Sequence, residues 1–332
     1  MYRVFSGMRP TGRLHLGHMA GALTNWVRLQ EDHECYYSIV DWHALMSDYA
    51  DPSRLRSNTM EILLDWLSVG LDPEKCAIFV QSHVKEHVEL QMALSLITPL
   101  GWLERNPTYK EQILNLRNKD LSTFGFLGYP VLMASDILVY RAHKVPVGED
   151  QSAHLELTRE IARRFNHLYG KGGFAFPEPD TILTHTPKIP GTDGRKMSKS
   201  YGNTLDIADE IPVLEKKIRT MTTDPARERR TDPGEPKKCP VWDLHAFFNP
   251  DEAEREELAS GCRSAKIGCV DCKKKLIVHV ERHMTPVQER RKRFEGRSGE
   301  LVAILEAGAA KARIVAGETM KEVYGALGMF VS

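Results

Sequence analysis

The sequence predicts an α/β fold, a doubly wound parallel sheet followed by a helical domain, and three observations carry that prediction. Short apolar runs alternate with longer stretches of helical periodicity up to about Asn203. The first run meets a Pro/Gly turn and opens directly into a helix. Beyond Asn203 no further strand alternation occurs, and helical patterns are broken by Pro, Gly and Cys. The expected organisation is therefore a Rossmann-like domain over residues 1–203, with a helical insertion around 85–135, and a helical domain over 204–332.

The elements follow in order. Tyr2 to Met8 reads as a buried strand, Arg9 to Gly12 as a turn, and the segment through Leu23 and Trp26 as a helix. Cys35 to Val40 is a second strand, with a helix from about Pro52 to Leu67. Cys76 to Gln81 is a third, with a helix from about Glu86 to Ile97. The polar stretch from Leu103 to Phe126 carries no strand pattern and precedes a helix starting near Tyr129. Lys144 to Val147 reads as another strand, feeding the helix Ser152 to Phe165, and Ile182 to Ile189 leads into a Gly-rich polar loop.

A chain of 332 residues buries a sizeable core, as one large domain or two ordinary ones. Lys plus Arg and Asp plus Glu both number 45, so net charge says nothing about an anionic partner. Basic residues nevertheless gather in the second half, at Lys216, Lys217, Arg219, Arg227, Arg229 and Arg230, at Lys273 to Lys275, and at Arg290 to Arg293. Such runs suit either a solvated helix face or RNA. The first residues lack the basic n-region and long apolar core of a signal peptide, and no run reaches the ~18 apolar residues of a membrane span, which points to the cytoplasm.

Two segments carry phosphate chemistry. His15, Leu16, Gly17 and His18 stand where strand one gives way to a helix, so the two histidines share a face beside exposed N–H groups and the positive end of the dipole. Gly17 lets a flat base approach the backbone. Lys196, Met197, Ser198, Lys199 and Ser200 follow the flexible run Pro190 to Gly194; two ammonium groups on a mobile loop can close over a polyphosphate.

Together the two segments resemble the signatures of class I aminoacyl-tRNA synthetases, and the resemblance runs nearly the whole chain. Gly148, Glu149, Asp150, Gln151 and the stretch Ala153 to Asn166 resemble the tyrosine and tryptophan members. Tyr129 to Asp136, with Val40 to His43, resembles the tryptophan members. Leu16 stands where the signature usually has Ile, and Arg9 where many bacterial tryptophan enzymes have Gln.

The resemblance implies catalytic roles for His15, His18, Lys196 and Lys199. It implies ATP contacts from Arg9, Pro10, Thr11, Gly17, His18, Gly148, Glu149, Asp150, Ile189 and the segment Lys196, Met197, Ser198, Lys199, Ser200. Positions 129, 133 and 136 fall on one helix face, where Met133 offers apolar surface and Asp136 a carboxylate for an indole N–H. Phe5, Val40, His43, Val145 and Val147 complete the expected tryptophan pocket, with Tyr129 and Gln151 toward the substrate ammonium. ATP with Mg²⁺, L-tryptophan and tRNA(Trp) are the implied substrates, in a homodimer; tyrosyl-tRNA synthetase, and more remotely a non-catalytic RNA-binding paralogue, are the alternatives.

Cys239, Cys262, Cys269 and Cys272 form a C-x22-C-x6-C-x2-C array that uses four of the six cysteines. Four thiolates close around either Zn²⁺ or an iron-sulfur cluster, and C-x2-C serves both. A zinc ribbon usually pairs two C-x2-C knuckles, whereas only Cys269 and Cys272 form one, which favours the larger cube. The array resembles that of a subset of bacterial tryptophan members carrying a [4Fe-4S] cluster. Lys237, Lys238, Arg263 and Lys273 to Lys275 are expected to offset its charge and face the anticodon.

Overall fold

The computed structural model describes residues 1–107, 109–110, 120–148, 152–183 and 189–330, and the side chains of 147 and 183 are outside that description. Five strands form one parallel sheet: β1 (Arg3–Met8), β2 (Glu34–Ile39), β3 (Ala77–Val80), β4 (Lys144–Val147) and β5 (Asp180–Leu183). Their order is β3-β2-β1-β4-β5. The chain winds one way from β1 through β2 to β3, then returns to lay β4 against the other edge of β1, which leaves a crevice at the carboxyl ends of β1 and β4.

Alternate residues of each strand enter different cores, as the period of two requires. Val4, Tyr37 and Ile78 face one layer, with Trp26 and Trp66 among their neighbours; Phe5, Tyr36 and Phe79 face the other, with Tyr140 and Phe165. Both faces are covered, and the strands therefore read as nearly continuous apolar runs.

The helix after β1, α1, spans residues 16–32: Leu16–His18 is α-helical, Met19–Leu23 is a π turn, and Thr24–Asp32 is α-helical again. α2 (Asp41–Asp48), α3 (Leu55–Val69), α4 (Glu86–Ser95), α5 (Tyr129–Leu138) and α6 (Ser152–Tyr169) follow. Gly70, with φ at 112°, ends α3 in the left-handed region that a side chain disfavours.

The second half comprises α7 (Ile211–Thr220), α8 (Pro240–Phe248), α9 (Glu252–Arg263), α10 (Cys269–Phe294) and α11 (Ser298–Ala326). α11 returns to the edge strand β3, and its Gly308 lies so close that a Cβ there would sit 1.9 Å from the Ile78 carbonyl oxygen. Several basic residues of this half turn inward. Arg227, Lys273 and Arg291 are buried. Lys273 donates to the carbonyls of Arg219 and Met221, closing the end of α7. It therefore does not face outward with Lys274 and Lys275, as its place in a basic run suggested.

Candidate active site

A cavity of about 360 Å³ opens at the crevice between β1 and β4. Phe5, Val40, His43, Tyr129, Met133, Asp136 and Val145, expected around tryptophan, line it together with Arg9 and Gly148, expected at ATP. Met46, Phe126 and His154 line it too, and the sequence pattern offered no signal for them. Glu149, Asp150 and Gln151 lie outside the described residues, as does the side chain of Val147.

The floor of the cavity is a buried polar chain. Asp136 accepts from Gln81 Nε2 at 2.6 Å and from His87 Nδ1 at 2.7 Å on one oxygen, and from His43 Nε2 at 2.9 Å on the other. His87 Nε2 lies 2.8 Å from the Tyr140 hydroxyl. With Nδ1 donating to a carboxylate, Nε2 accepts from Tyr140, which assigns one tautomer to the His87 ring. Burial alone favours the neutral acid, yet the hydrogen bonds from His43 and His87 outweigh it and hold the Asp136 carboxyl below its ordinary value. The side chain thus presents an ionised acceptor. Two lone-pair sites on each oxygen leave room on the His43 side for one further donor. The Tyr129 hydroxyl and His154 Nε2 are hydrogen-bonded at 2.7 Å, which fixes the hydroxyl at the cavity wall.

Outside the residues that line the cavity, the imidazoles of His15 and His18 lie 3.8 Å apart between centroids at 37°. His18 Nδ1 accepts the His15 backbone N–H at 3.2 Å, so the neutral ring carries its proton on Nε2. Burial first, then the ammonium groups of Lys199 and Lys196, lower His15 to about 4. Burial, His15 and the same lysines lower His18 to about 3. Both rings are consequently neutral donors and acceptors near pH 7, and positive charge beside them comes from the lysines. A Cβ at Gly17 would stand 3.0 Å from the His15 ring, a packing reason for glycine beyond the approach of a base.

Backbone bonds tie the first signature segment to residues 205–207, just beyond the second. Leu16 N–H donates to Leu205 O at 2.8 Å and Ile207 N–H to Leu14 O at 2.9 Å, and His15 bridges Asp206. Lys199 Nζ donates to Thr11 O at 2.8 Å. The buried Asn203 ties together the loop that carries Lys196 to Ser200. Asn203 Oδ1 accepts Ser198 N–H at 2.8 Å, and its Nδ2 donates to Asp193 Oδ1 at 2.7 Å and to Lys196 O at 3.2 Å. A Cβ on Gly191 would fall 2.2 Å from Asn203 Nδ2, so this approach requires glycine. Ile189 and Met197 are buried.

The four cysteines converge at α8, α9 and α10. Cys239 caps α8, Cys262 lies at the end of α9, and Cys269 and Cys272 open the first turn of α10. Burial, then Cys239, Cys262 and Cys269, push the Cys272 thiol up to about 12. Arg227 Nη1 lies 3.7 Å from Cys262 Sγ, and His245 Nε2 lies 3.4 Å from Cys272 Sγ. Among the described residues, no group of three or more His, Cys, Asp or Glu side chains is arranged to hold a metal ion.

A parallel sheet whose switch point joins an apolar cavity, a histidine pair and two lysines defines a nucleotide-using α/β enzyme. The family model for class I tRNA synthetases (W and Y) matches residues 1–285, and the chain belongs to that family. Tryptophan–tRNA ligases are its relatives: that of Thermotoga maritima is 52% identical over 98% of this chain and 99% of its own, and that of Deinococcus radiodurans 45% over 97% of each. The crystal structure of tryptophanyl-tRNA synthetase from Campylobacter jejuni, complexed with ADP and tryptophan, superposes with a TM-score of 0.86 at 34% identity, covering 98% of this chain and 100% of that one.

Proposed function

We propose that the chain is a tryptophan–tRNA ligase, which activates L-tryptophan with ATP and passes it to the 3′ end of tRNA(Trp). The observation that carries this reading is the ionised, buried Asp136 at the floor of an apolar cavity. An indole needs apolar walls and one acceptor for its N–H, and Met133, Phe5, Val40 and Val145 supply the walls. His43 fixes the carboxylate from the side nearest the cavity.

In the first step an oxygen of the tryptophan carboxylate attacks the α-phosphorus of ATP, and the bond to pyrophosphate breaks with its electron pair leaving on oxygen. His15 and His18 donate to phosphate oxygens, with Arg9, Pro10, Thr11 and Gly17 shaping the nucleotide site. Lys196 and Lys199, with Ser198 and Ser200 beside them, stabilise the leaving pyrophosphate, a load shared with the Mg²⁺ that accompanies the nucleotide. Gly148, Glu149 and Asp150 hold the ribose; Tyr129 and Gln151 receive the ammonium. In the second step a hydroxyl of the terminal ribose, the 2′ one by the class I pattern, attacks the carbonyl and AMP leaves. Residues 1–203 carry this chemistry and 204–332 the tRNA anticodon. Met92 and Leu96, exposed one turn apart on α4 and its cap, favour a homodimer. No described helix is long and apolar enough to cross a membrane, in keeping with a cytoplasmic enzyme.

The test is amino-acid-dependent pyrophosphate exchange. Exchange with tryptophan and not tyrosine is expected; exchange driven by tyrosine would overturn the reading.

For the four cysteines the reading is a [4Fe-4S] cluster. A tetrahedral Zn²⁺ needs its sulfurs about 3.8 Å apart, from Zn–S bonds of ~2.3 Å, whereas a cube spaces its four thiolates over four irons. The uneven spacing of the array, with one C-x2-C knuckle, supports the cube, and the Cys272 thiol is raised by burial and by the other three cysteines beside it. Arg227 and His245 would donate to its thiolates, and when bound the cluster supplies a rigid crosslink among α8, α9 and α10. Anaerobic purification followed by iron, sulfide and zinc analysis is expected to find iron and sulfide; stoichiometric zinc without sulfide would refute the cluster.

A further inference from the structure

Leu14, the residue before His15, donates its backbone N–H to Asp65 Oδ2 at 2.7 Å. Asp65 lies on α3 with no exposure at all, and its other oxygen accepts from Arg291 Nη1 at 2.6 Å. Arg291 belongs to α10, in the other half of the sequence. Its Nη2 and Nε donate to Glu61 and Glu295, each at 3.0 Å. Neighbouring residues tie α10 down further: Arg290 donates to Ser68 O at 2.6 Å and Gln288 to Asp209 O at 2.8 Å. Leu14 is also bonded on its other side, its carbonyl accepting Ile207 N–H. The peptide that carries His15 is therefore held between Asp65 and the 205–207 strip. The Asp65 carboxylate also acts electrostatically on Lys199.

We propose that Asp65 is a positioning residue for the nucleotide site, fixing the His15–His18 segment through Leu14 N–H, and that Arg291 keeps it aimed, so α10 lends a residue to ATP binding. This rests on the reading that His15 and His18 meet the ATP phosphates. The geometry gives a reason for an ionic pair where an apolar one would pack as well. A leucine at 65 would leave Leu14 N–H without an acceptor, and a lysine at 291 would present a point charge where a fork reaches three carboxylates. Burial pushes the Asp65 carboxyl up to about 7, against the pull of Leu14 N–H and Arg291, so the aim of this group depends on its partners.

Two charge-neutral double variants of the full chain test the proposal, since neither leaves a buried charge unpaired. Asp65→Leu/Arg291→Met removes the acceptor; Asp65→Asn/Arg291→Met keeps one. In tryptophan-dependent pyrophosphate exchange, the first is expected to raise the ATP KM on the order of tenfold, with kcat and tryptophan KM within about twofold. The second is expected to stay within about threefold of the parent for ATP. Arg291→Lys, which keeps the charge, is expected to fall between them. Equal ATP KM values for the two doubles, a parallel rise in ATP and tryptophan KM, or an unaltered Arg291→Lys would overturn the proposal. His18→Ala serves as the control: if it leaves the ATP KM unchanged, the reading of the histidine segment fails; if it raises it while the leucine double does not, only the positioning proposal fails.

Discussion

Lys196→Ala is expected to slow adenylate formation on the order of 10² to 10³-fold, the cost of removing a donor aimed at charge that develops in the transition state. Tryptophan binding should change by less than about threefold, because Lys196 is not among the residues that line the apolar cavity. The lysine is well supported for this work. Its carbonyl is bonded by Asn203, the same amide side chain organises Asp193 and Ser198, and Pro190 bridges Lys196 across the base of the loop. Its ammonium lies close enough to depress both His15 and His18. Single-turnover adenylate formation and equilibrium tryptophan binding are the two measurements. Equal losses in both would mean that the loop only binds substrate.

How much of this was legible in the sequence follows from range. The strands were, because a parallel sheet covered on both faces writes itself as apolar runs, and β4 coincides with its expected bounds at Lys144 and Val147. The family signatures His15 to His18 and Lys196 to Ser200 were, because each is local. What escaped depends on contacts between residues far apart in sequence. Gln81 and His87 reach Asp136 across 55 and 49 residues, and nothing in their own surroundings distinguishes them from a strand-end amide and a helical histidine. Asn203 marks only the end of the strand-bearing half in the sequence, and its close approach to Gly191 has no local sign. The return of α11 to β3 also has no local sign except Gly308, a glycine inside a helix, whose reason is the Ile78 backbone beneath it. The inward turn of Arg227, Lys273 and Arg291 shows the same limit, since a basic run gives charge but not direction.

Asp136→Ala is expected to lower discrimination between tryptophan and phenylalanine by roughly 10- to 100-fold, since a hydrogen bond to a charged acceptor in a closed pocket is worth about 1.5 to 3 kcal/mol. Phenylalanine lacks the indole nitrogen. It fills the same apolar walls of Phe5, Val40, Met133 and Val145 but brings no N–H, so it would leave the open lone pair of a buried carboxylate without a donor. Truncation also deprives Gln81, His87 and His43 of their common acceptor, which costs stability whichever substrate is bound. The ratio of kcat/KM for the two amino acids in pyrophosphate exchange cancels that common loss and reports the indole contact alone. If the ratio survives while both absolute values fall, Asp136 only braces the floor of the cavity, and the group that recognises the indole N–H lies elsewhere in its lining.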